Sequence, residues 1–343
     1  MSLITNKLKA LARDWRVKIA IQNTLSLLPG NAGFRINEQI TQFVRGSMEA
    51  RIESKKRFLK GIDNIHLIRN NVEEFNLKDR TILELGTGWH GVDLVIFYLL
   101  GAKNIITIDH YPHLTLAYMV STIETLLNNS DVVSRLIELG LLPDRVSVLE
   151  ASIAQASSLA ELLKSLEIDY QIVTSAEYKY LTIKQQPVDF FYSESILHRL
   201  PVKHLQDLLQ VVSGCLSNDA VIFHRTDQSD INAQRHVDTE LWALNYLRYS
   251  EWFFNLFMSG KFNSQNRLRE SDFLQLLDES GMSPIYLESH CRKDDMDRLR
   301  NFKVARRFKD KTIEDLSVKH SKIVCKKRLA SGVVDLKREV IYT

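Results

Sequence analysis

Thr81-Ile82-Leu83-Glu84-Leu85-Gly86-Thr87-Gly88-Trp89-His90-Gly91 decides the reading of this chain. A short apolar run ends in a Gly-x-Gly turn and passes at once into Val92-Asp93-Leu94-Val95-Ile96-Phe97-Tyr98-Leu99-Leu100. That order predicts a buried strand turning sharply into a helix. Glycine suits the turn because no side chain holds the backbone away from a ligand, and because the dihedrals needed strain other residues. The expected product is a nucleotide-type cradle.

Outward from the turn, the break at Gly101-Ala102 leads into Asn104-Ile105-Ile106-Thr107-Ile108-Asp109, a second strand with an acidic last residue. In a strand-helix-strand unit the two strands lie side by side, which brings Asp109 near the turn and within reach of ribose hydroxyls. Asp109 follows Gly86 by 23 residues, close to the roughly 20 expected of such units. Gly86-x-Gly88-x-x-Gly91 also matches the dinucleotide fingerprint, so the glycines alone do not choose a ligand. Glu84 does more. A carboxylate at the end of the first strand suits a ligand with a free amino group and repels a pyrophosphate.

These residues resemble the first motif of the class I S-adenosylmethionine-dependent methyltransferases: an apolar strand, an acidic residue, an apolar residue and Gly-x-Gly. The resemblance implies an α/β fold with a seven-stranded, mostly parallel, doubly wound Rossmann-like sheet, its last strand antiparallel. It implies S-adenosyl-L-methionine as cofactor, with Glu84 on the methionine amino group, Gly86, Thr87 and Gly88 giving close backbone approach, and Asp109 on the ribose, His110 beside it. His90 departs from the pattern, standing where many members carry a third glycine, and is expected to add a polar group beside the cofactor.

Composition sets outer bounds. The chain has 343 residues, 45% hydrophobic and 25% charged, enough to bury one large core with an added lobe and without a disordered signature. No run of 18 apolar residues and no signal-peptide block occurs, and the three cysteines, Cys215, Cys291 and Cys325, are odd in number and far apart. A cytoplasmic enzyme with reduced thiols and no metal site is the expectation. Residues 1 to 60 hold 12 Lys/Arg against 4 Asp/Glu, and residues 292 to 343 hold 16 against 8. Basic ends of this kind suit a peripheral membrane contact or a phosphate-bearing partner, with solvated helix faces as the competing account. Aromatics do not interleave with a basic stripe, so no nucleic-acid partner is expected.

Three segments are predicted: an N-terminal helical lobe over 1–75, a catalytic domain over 76–327 and a C-terminal tail over 328–343. Ile4, Leu8, Leu11, Trp15 and Ile19 form an apolar stripe in a first helix over 1–28, and 36–75 carries further helix. Leu114 to Leu127, Val132 to Leu139 and Ala151 to Leu166 carry helical spacing, and Tyr170 to Thr174 reads as strand three. By the resemblance, Ala176 lies in the adenine loop, with Ser175 where Asp is common.

Val188-Asp189-Phe190-Phe191-Tyr192-Ser193 is strand four, and the following Glu194-Ser195-Ile196-Leu197-His198 resembles the family's fourth motif. It implies that Ser193, Glu194 and His198 approach the reacting methyl, since ligands of open parallel sheets bind beyond the carboxyl ends of strands. Ala220 to His224 is strand five, and Arg225-Thr226-Asp227 after it either line the cavity or cap a helix. A helical cap insertion over about 236–265 carries Trp242, Tyr246, Tyr249, Trp252, Phe253, Phe254, Phe257 and Phe262, suited to an acceptor pocket, to packing or to a homodimer surface. Ser283 to Glu288 and His320 to Lys326 supply the last two strands.

The functional expectation is methyl transfer to a hydroxyl or other nucleophile of a small-molecule, saccharide or lipid-linked acceptor. His198 leads as catalytic base because imidazole titrates near neutral pH, with His224 and Asp227 in reserve. A nicotinamide-dependent oxidoreductase and a non-catalytic scaffold of the same fold are the rival readings.

Overall fold

Strand β1 (Thr81–Leu85) is buried along its whole length and pairs in parallel on both sides, with β2 (Asn104–Asp109) and β4 (Val188–Glu194). That places the glycine turn over the middle of the sheet. The structure is a computed structural model that describes residues 14–29, 32–45, 55–183, 187–233, 241–328 and 335–342.

Outside this centre lie β3 (Ile168–Ile172), β5 (Leu216–Asp227), β6 (Met282–Cys291), β7 (His320–Lys327) and β8 (Lys337–Tyr342). The order is β3-β2-β1-β4-β5-β7-β6-β8, with β7 antiparallel to both neighbours and β8 parallel to β6. Eight strands therefore replace the expected seven, because part of the segment read as a tail adds β8 at the edge.

Strand alternation sorts the core into two layers. Ile82, Phe190, Tyr192, Phe223 and Val324 belong to one cluster, and Leu83, Phe191, Ile222 and Ile323 to the other. The first is covered by α3 (Lys55–Asn71) and α4 (Val92–Leu99), the second by α9 (Val202–Cys215) and α10 (Glu270–Glu279). Phe58, Ile62, Ile65 and Ile68 recur at helical spacing and are buried on the sheet, each contributing roughly 1.5–3 kcal/mol. So α3, placed in the N-terminal lobe by sequence, is also a layer over the sheet.

Before α3 come α1 (Trp15–Ser26) and α2 (Ala32–Arg45). The apolar positions Ile4, Leu8 and Leu11 lie outside the described residues, as do 46–54 and the start of the cap at 234–240. After β2 come α5 (Leu116–Leu127), α6 (Ser130–Glu138), α7 (Pro143–Gln155) and α8 (Leu159–Ser165). The single helix expected over 151–166 is two, because Ser158 accepts a hydrogen bond from Glu161 N and starts a new one.

The aromatic insertion is largely a packing unit. Tyr246, Phe254 and Met258 are buried with Ile19 of α1, Leu299 and Phe308. Two buried arginines fasten it. Arg267 lies 4.4 Å from the Phe254 ring centre and donates to the Tyr246 and Tyr249 carbonyls. Arg269 donates to the carbonyls of Gln228, Asp315, Leu316 and Val318.

Candidate active site

The turn after β1 has left-handed backbone at Gly86 (φ 93°), Gly88 (φ 66°) and Gly91 (φ 59°). A Cβ on Gly86 would lie 3.1 Å from Ile196 Cβ, whereas one on Gly88 would meet only the Gly86 carbonyl at 3.9 Å. Gly88 thus faces open space, as a cradle for a ligand requires. Gly88 N donates to Asp109 Oδ2 at 2.8 Å and His110 N to Asp109 Oδ1 at 2.6 Å, tying the turn to the end of β2.

Beneath the turn, register partners share a face, so Glu84, Thr107 and Tyr192 meet on the α3 side. Thr107 donates to Glu84 Oε2 at 2.5 Å and shares a 2.5 Å hydrogen bond with Thr87. Burial pushes Glu84 up to about 8, with the negative charges of Asp93 and Asp109 adding to it and Thr107 opposing. Asp93, in the first turn of α4, is pushed up to about 7 by removal from water and by Glu194, against Lys60 and Tyr192. At the end of β4, burial raises Glu194, but Lys60 and Arg225 outweigh it and hold the acid below its usual range. Its Oε1 meets Lys60, Arg225 Nη1 at 3.1 Å and Ser195 Oγ at 2.9 Å, and its Oε2 accepts from Asn64 Nδ2 at 3.0 Å.

A cavity of about 640 Å³ opens over these strand ends. Gly86, Gly88, Asp109 and His110 line it beside Ser175, and Glu194, Ser195, Ile196 and Arg199 form its floor. Phe34 of α2 and the segment Ser259 to Phe262 close over it. Ser195 adopts φ 58° at this floor, an uncommon conformation for a residue with a side chain.

The other expected site residues lie elsewhere. Glu84 and Thr87 are buried behind the turn rather than lining the cavity. Ser193 and His224 are register partners on β4 and β5, point to the same face and hydrogen bond to each other at 2.8 Å, both fully buried. Burial alone pushes His224 down to about 3, so it is a neutral interior group. His198 is buried in the short turn Leu197–Arg199, and its neighbour Arg199 takes the cavity wall. Asp227 accepts from Ser229 N at 3.0 Å as a turn-former, and burial raises it. Ala176 is exposed; Ser175 lines the cavity instead and donates its N–H to His110 Nδ1 at 3.2 Å. His90 packs edge-on against Tyr118 at 5.1 Å and is buried, so it adds nothing polar to the cavity wall.

Sequence reasoning missed Lys60, Asn64 and Asp93 around the acids, and Phe34, Trp89, Tyr111 and His113 on the wall; Arg225, expected to line the cavity or cap a helix, instead pairs with Glu194. Of the missed residues, Asp93 had a signal, since it lies two residues after the last glycine of the turn. Parallel strands in the order β3-β2-β1-β4-β5-β7-β6, with β7 reversed, give the sheet that the first motif implied. The fold is a doubly wound, Rossmann-like α/β fold.

No protein-family model matches this sequence, and no curated protein does. Among solved structures, the chain is similar to an S-adenosylmethionine-dependent methyltransferase from Mesorhizobium loti (TM-score 0.40, 14% identity, 78% of this chain and 100% of that one). It is also similar to geranyl diphosphate methyltransferase in complex with S-adenosylmethionine (TM-score 0.43, 11% identity, 89% and 94%). A third is the Burkholderia thailandensis 1,6-didemethyltoxoflavin-N1-methyltransferase with bound 1,6-didemethyltoxoflavin and S-adenosylhomocysteine (TM-score 0.40, 10% identity, 88% and 92%). The chain's own residues carry the functional reading that follows.

Proposed function

We propose that this chain is an S-adenosylmethionine-dependent methyltransferase acting on a hydroxyl or other nucleophile of a small-molecule, saccharide or lipid-linked acceptor. One observation carries the reading. Glu84 and Asp93 sit beneath and just after the glycine turn, where a dinucleotide would place its pyrophosphate. Burial raises both acids; the ammonium of an amino-acid-bearing sulfonium nucleoside would favour their ionised forms, whereas a pyrophosphate would oppose them. The open face of Gly88 and the cavity beside Asp109 fit its ribose and backbone contacts.

When bound, the cofactor supplies a carbon already activated for transfer. The protein has to hold it, align the acceptor and exclude water. Asp109 and Gly88 fix the nucleoside end, Ser175 and His110 the base end, and Glu194 with Ser195 the floor. Where the acceptor is a hydroxyl, His113 is the imidazole placed to take the proton in place of His198: it lines the cavity, as does His110, whose Nδ1 already accepts from Ser175 N. Burial lowers His113 against the pull of Asp109, which keeps it neutral and basic at pH 7. Calorimetry tests the reading: S-adenosylhomocysteine binds one-to-one and NADH does not. Binding of NADH alone, or of neither, overturns it.

A further inference from the structure

Four rings from three separate parts of the chain form one wall of the cavity. Phe34 of α2 stacks on Tyr111 at 4.5 Å, Trp89 of the glycine turn stacks on His113 at 4.4 Å, and Phe34 and His113 are 5.4 Å apart. All four line the cavity. The two stacked pairs are inclined to one another, Tyr111 meeting His113 at 60°, so the lining offers ring faces and edges, which favours an aromatic partner over a branched aliphatic one.

The charge around the cavity is uneven. Asp109 spends both oxygens on backbone amides, and Glu194 is met by two cations, Lys60 and Arg225. Arg199 and Lys261 add two further positive charges to the lining. Both bear on the loop after β2: burial chiefly lowers His113 and His110, Asp109 opposes it, and the charges of Arg199 and Lys261 respectively add to the lowering. Arg199 Nη2 also donates to the Phe262 carbonyl at 3.3 Å, next to Lys261. Lys261 therefore reaches the cavity from the segment that closes it, and Arg199 from the floor.

We propose that the acceptor is an aromatic anionic molecule, its ring set among Phe34, Tyr111, His113 and Trp89 and its negative group held by Arg199 and Lys261. The word acceptor rests on the methyltransferase reading; the ring-and-anion site does not. Trp89 and Phe34 supply stacking, and Lys261 and Arg199 select against neutral and cationic rings of the same shape.

A matched pair of fluorescent probes tests this: 8-anilinonaphthalene-1-sulfonate and N-phenyl-1-naphthylamine, which share their rings and differ by the sulfonate. Each is titrated into the full chain with and without saturating S-adenosylhomocysteine. The sulfonate is expected to bind one-to-one at least tenfold tighter than the neutral probe, and to lose that advantage in 0.5 M salt. Lys261→Glu, at an exposed position, weakens the sulfonate at least fivefold and leaves the neutral probe within twofold. Trp89→Ala weakens both at least fivefold, and Arg199→Ala repeats the selective loss if it folds. Equal or tighter binding of the neutral probe overturns the proposal, as does a Lys261→Glu protein that binds both probes as before. Failure of S-adenosylhomocysteine to bind is a separate result: it removes the cofactor reading, while the probe pair still decides the site.

Discussion

Gly88 and Asp109, 21 residues apart, are joined by a 2.8 Å hydrogen bond from the turn's amide to the carboxylate at the end of β2. The cradle is therefore set before a ligand arrives. Hydrogen bonds to a charged acceptor contribute about 1.5–3 kcal/mol each, and an amide at this position accepts through one oxygen only. Asp109→Asn is expected to lower stability by about 2 kcal/mol and to weaken S-adenosylhomocysteine at least tenfold. Urea melts and calorimetry read the two effects; an unchanged affinity would sink the role given to Asp109.

Glu84 makes the ligand-free protein pH-sensitive. Burial first, then Asp93 and Asp109, raise it from 4.5 to about 8. Between those values the folded chain holds a proton that the unfolded chain has lost, so stability falls as pH rises from about 5 through 8 and then levels. Asp93, raised to about 7, adds a slope of the same sign. Glu84→Gln should flatten much of the decline in urea melts at pH 5.5, 7 and 8.5. Parallel slopes for the two proteins would contradict this.

The two glycines of the turn should fail differently. An Ala at Gly86 meets Ile196 at 3.1 Å, whereas one at Gly88 projects into open space. Both incur about 1–2 kcal/mol for a left-handed alanine. Gly86→Ala adds a packing cost and is expected to be the less stable protein. Gly88→Ala is expected to keep most of its stability and to lose ligand affinity, because its methyl occupies the space a ligand needs. Melting temperatures and calorimetry on the pair distinguish them; equal losses on both measures would refute the difference.

Local pattern made β1, the turn, α4 and β2 legible, since burial on both faces gives an apolar run and the turn needs glycine. The same logic missed β8, whose Lys337-Arg338-Glu339 start is exposed at the sheet edge and shows no apolar alternation. It also misjudged Ser193 and His224. A period of two points both away from the cavity, but their pairing depends on register between strands 31 residues apart. Lys60 and Glu194 had no joint signal, because contact across two elements is not written in either. His224→Ala is accordingly expected to lower stability by about 2–3 kcal/mol, the cost of leaving a buried partner unmet in a cavity. Its S-adenosylhomocysteine affinity should stay within twofold; a tenfold loss would return His224 to the site.

Arg269 is fully buried and donates to Gln228 O at 2.9 Å, Asp315 O and Leu316 O at 3.0 Å each, Val318 O, and Tyr246 Oη at 2.5 Å. It joins the end of β5, the aromatic insertion and the segment entering β7. Methionine fills a similar volume but leaves those acceptors without a donor, at about 1–3 kcal/mol for each one that water does not reach. Arg269→Met should therefore destabilise the chain by about 3–5 kcal/mol. Since the insertion runs into Lys261 and Phe262, loosening it should weaken the sulfonate probe while cofactor binding at the glycine turn persists. Probe fluorescence and calorimetry on the same sample read this. A proportional loss of both would mean that the insertion supports the whole cavity and not the acceptor end.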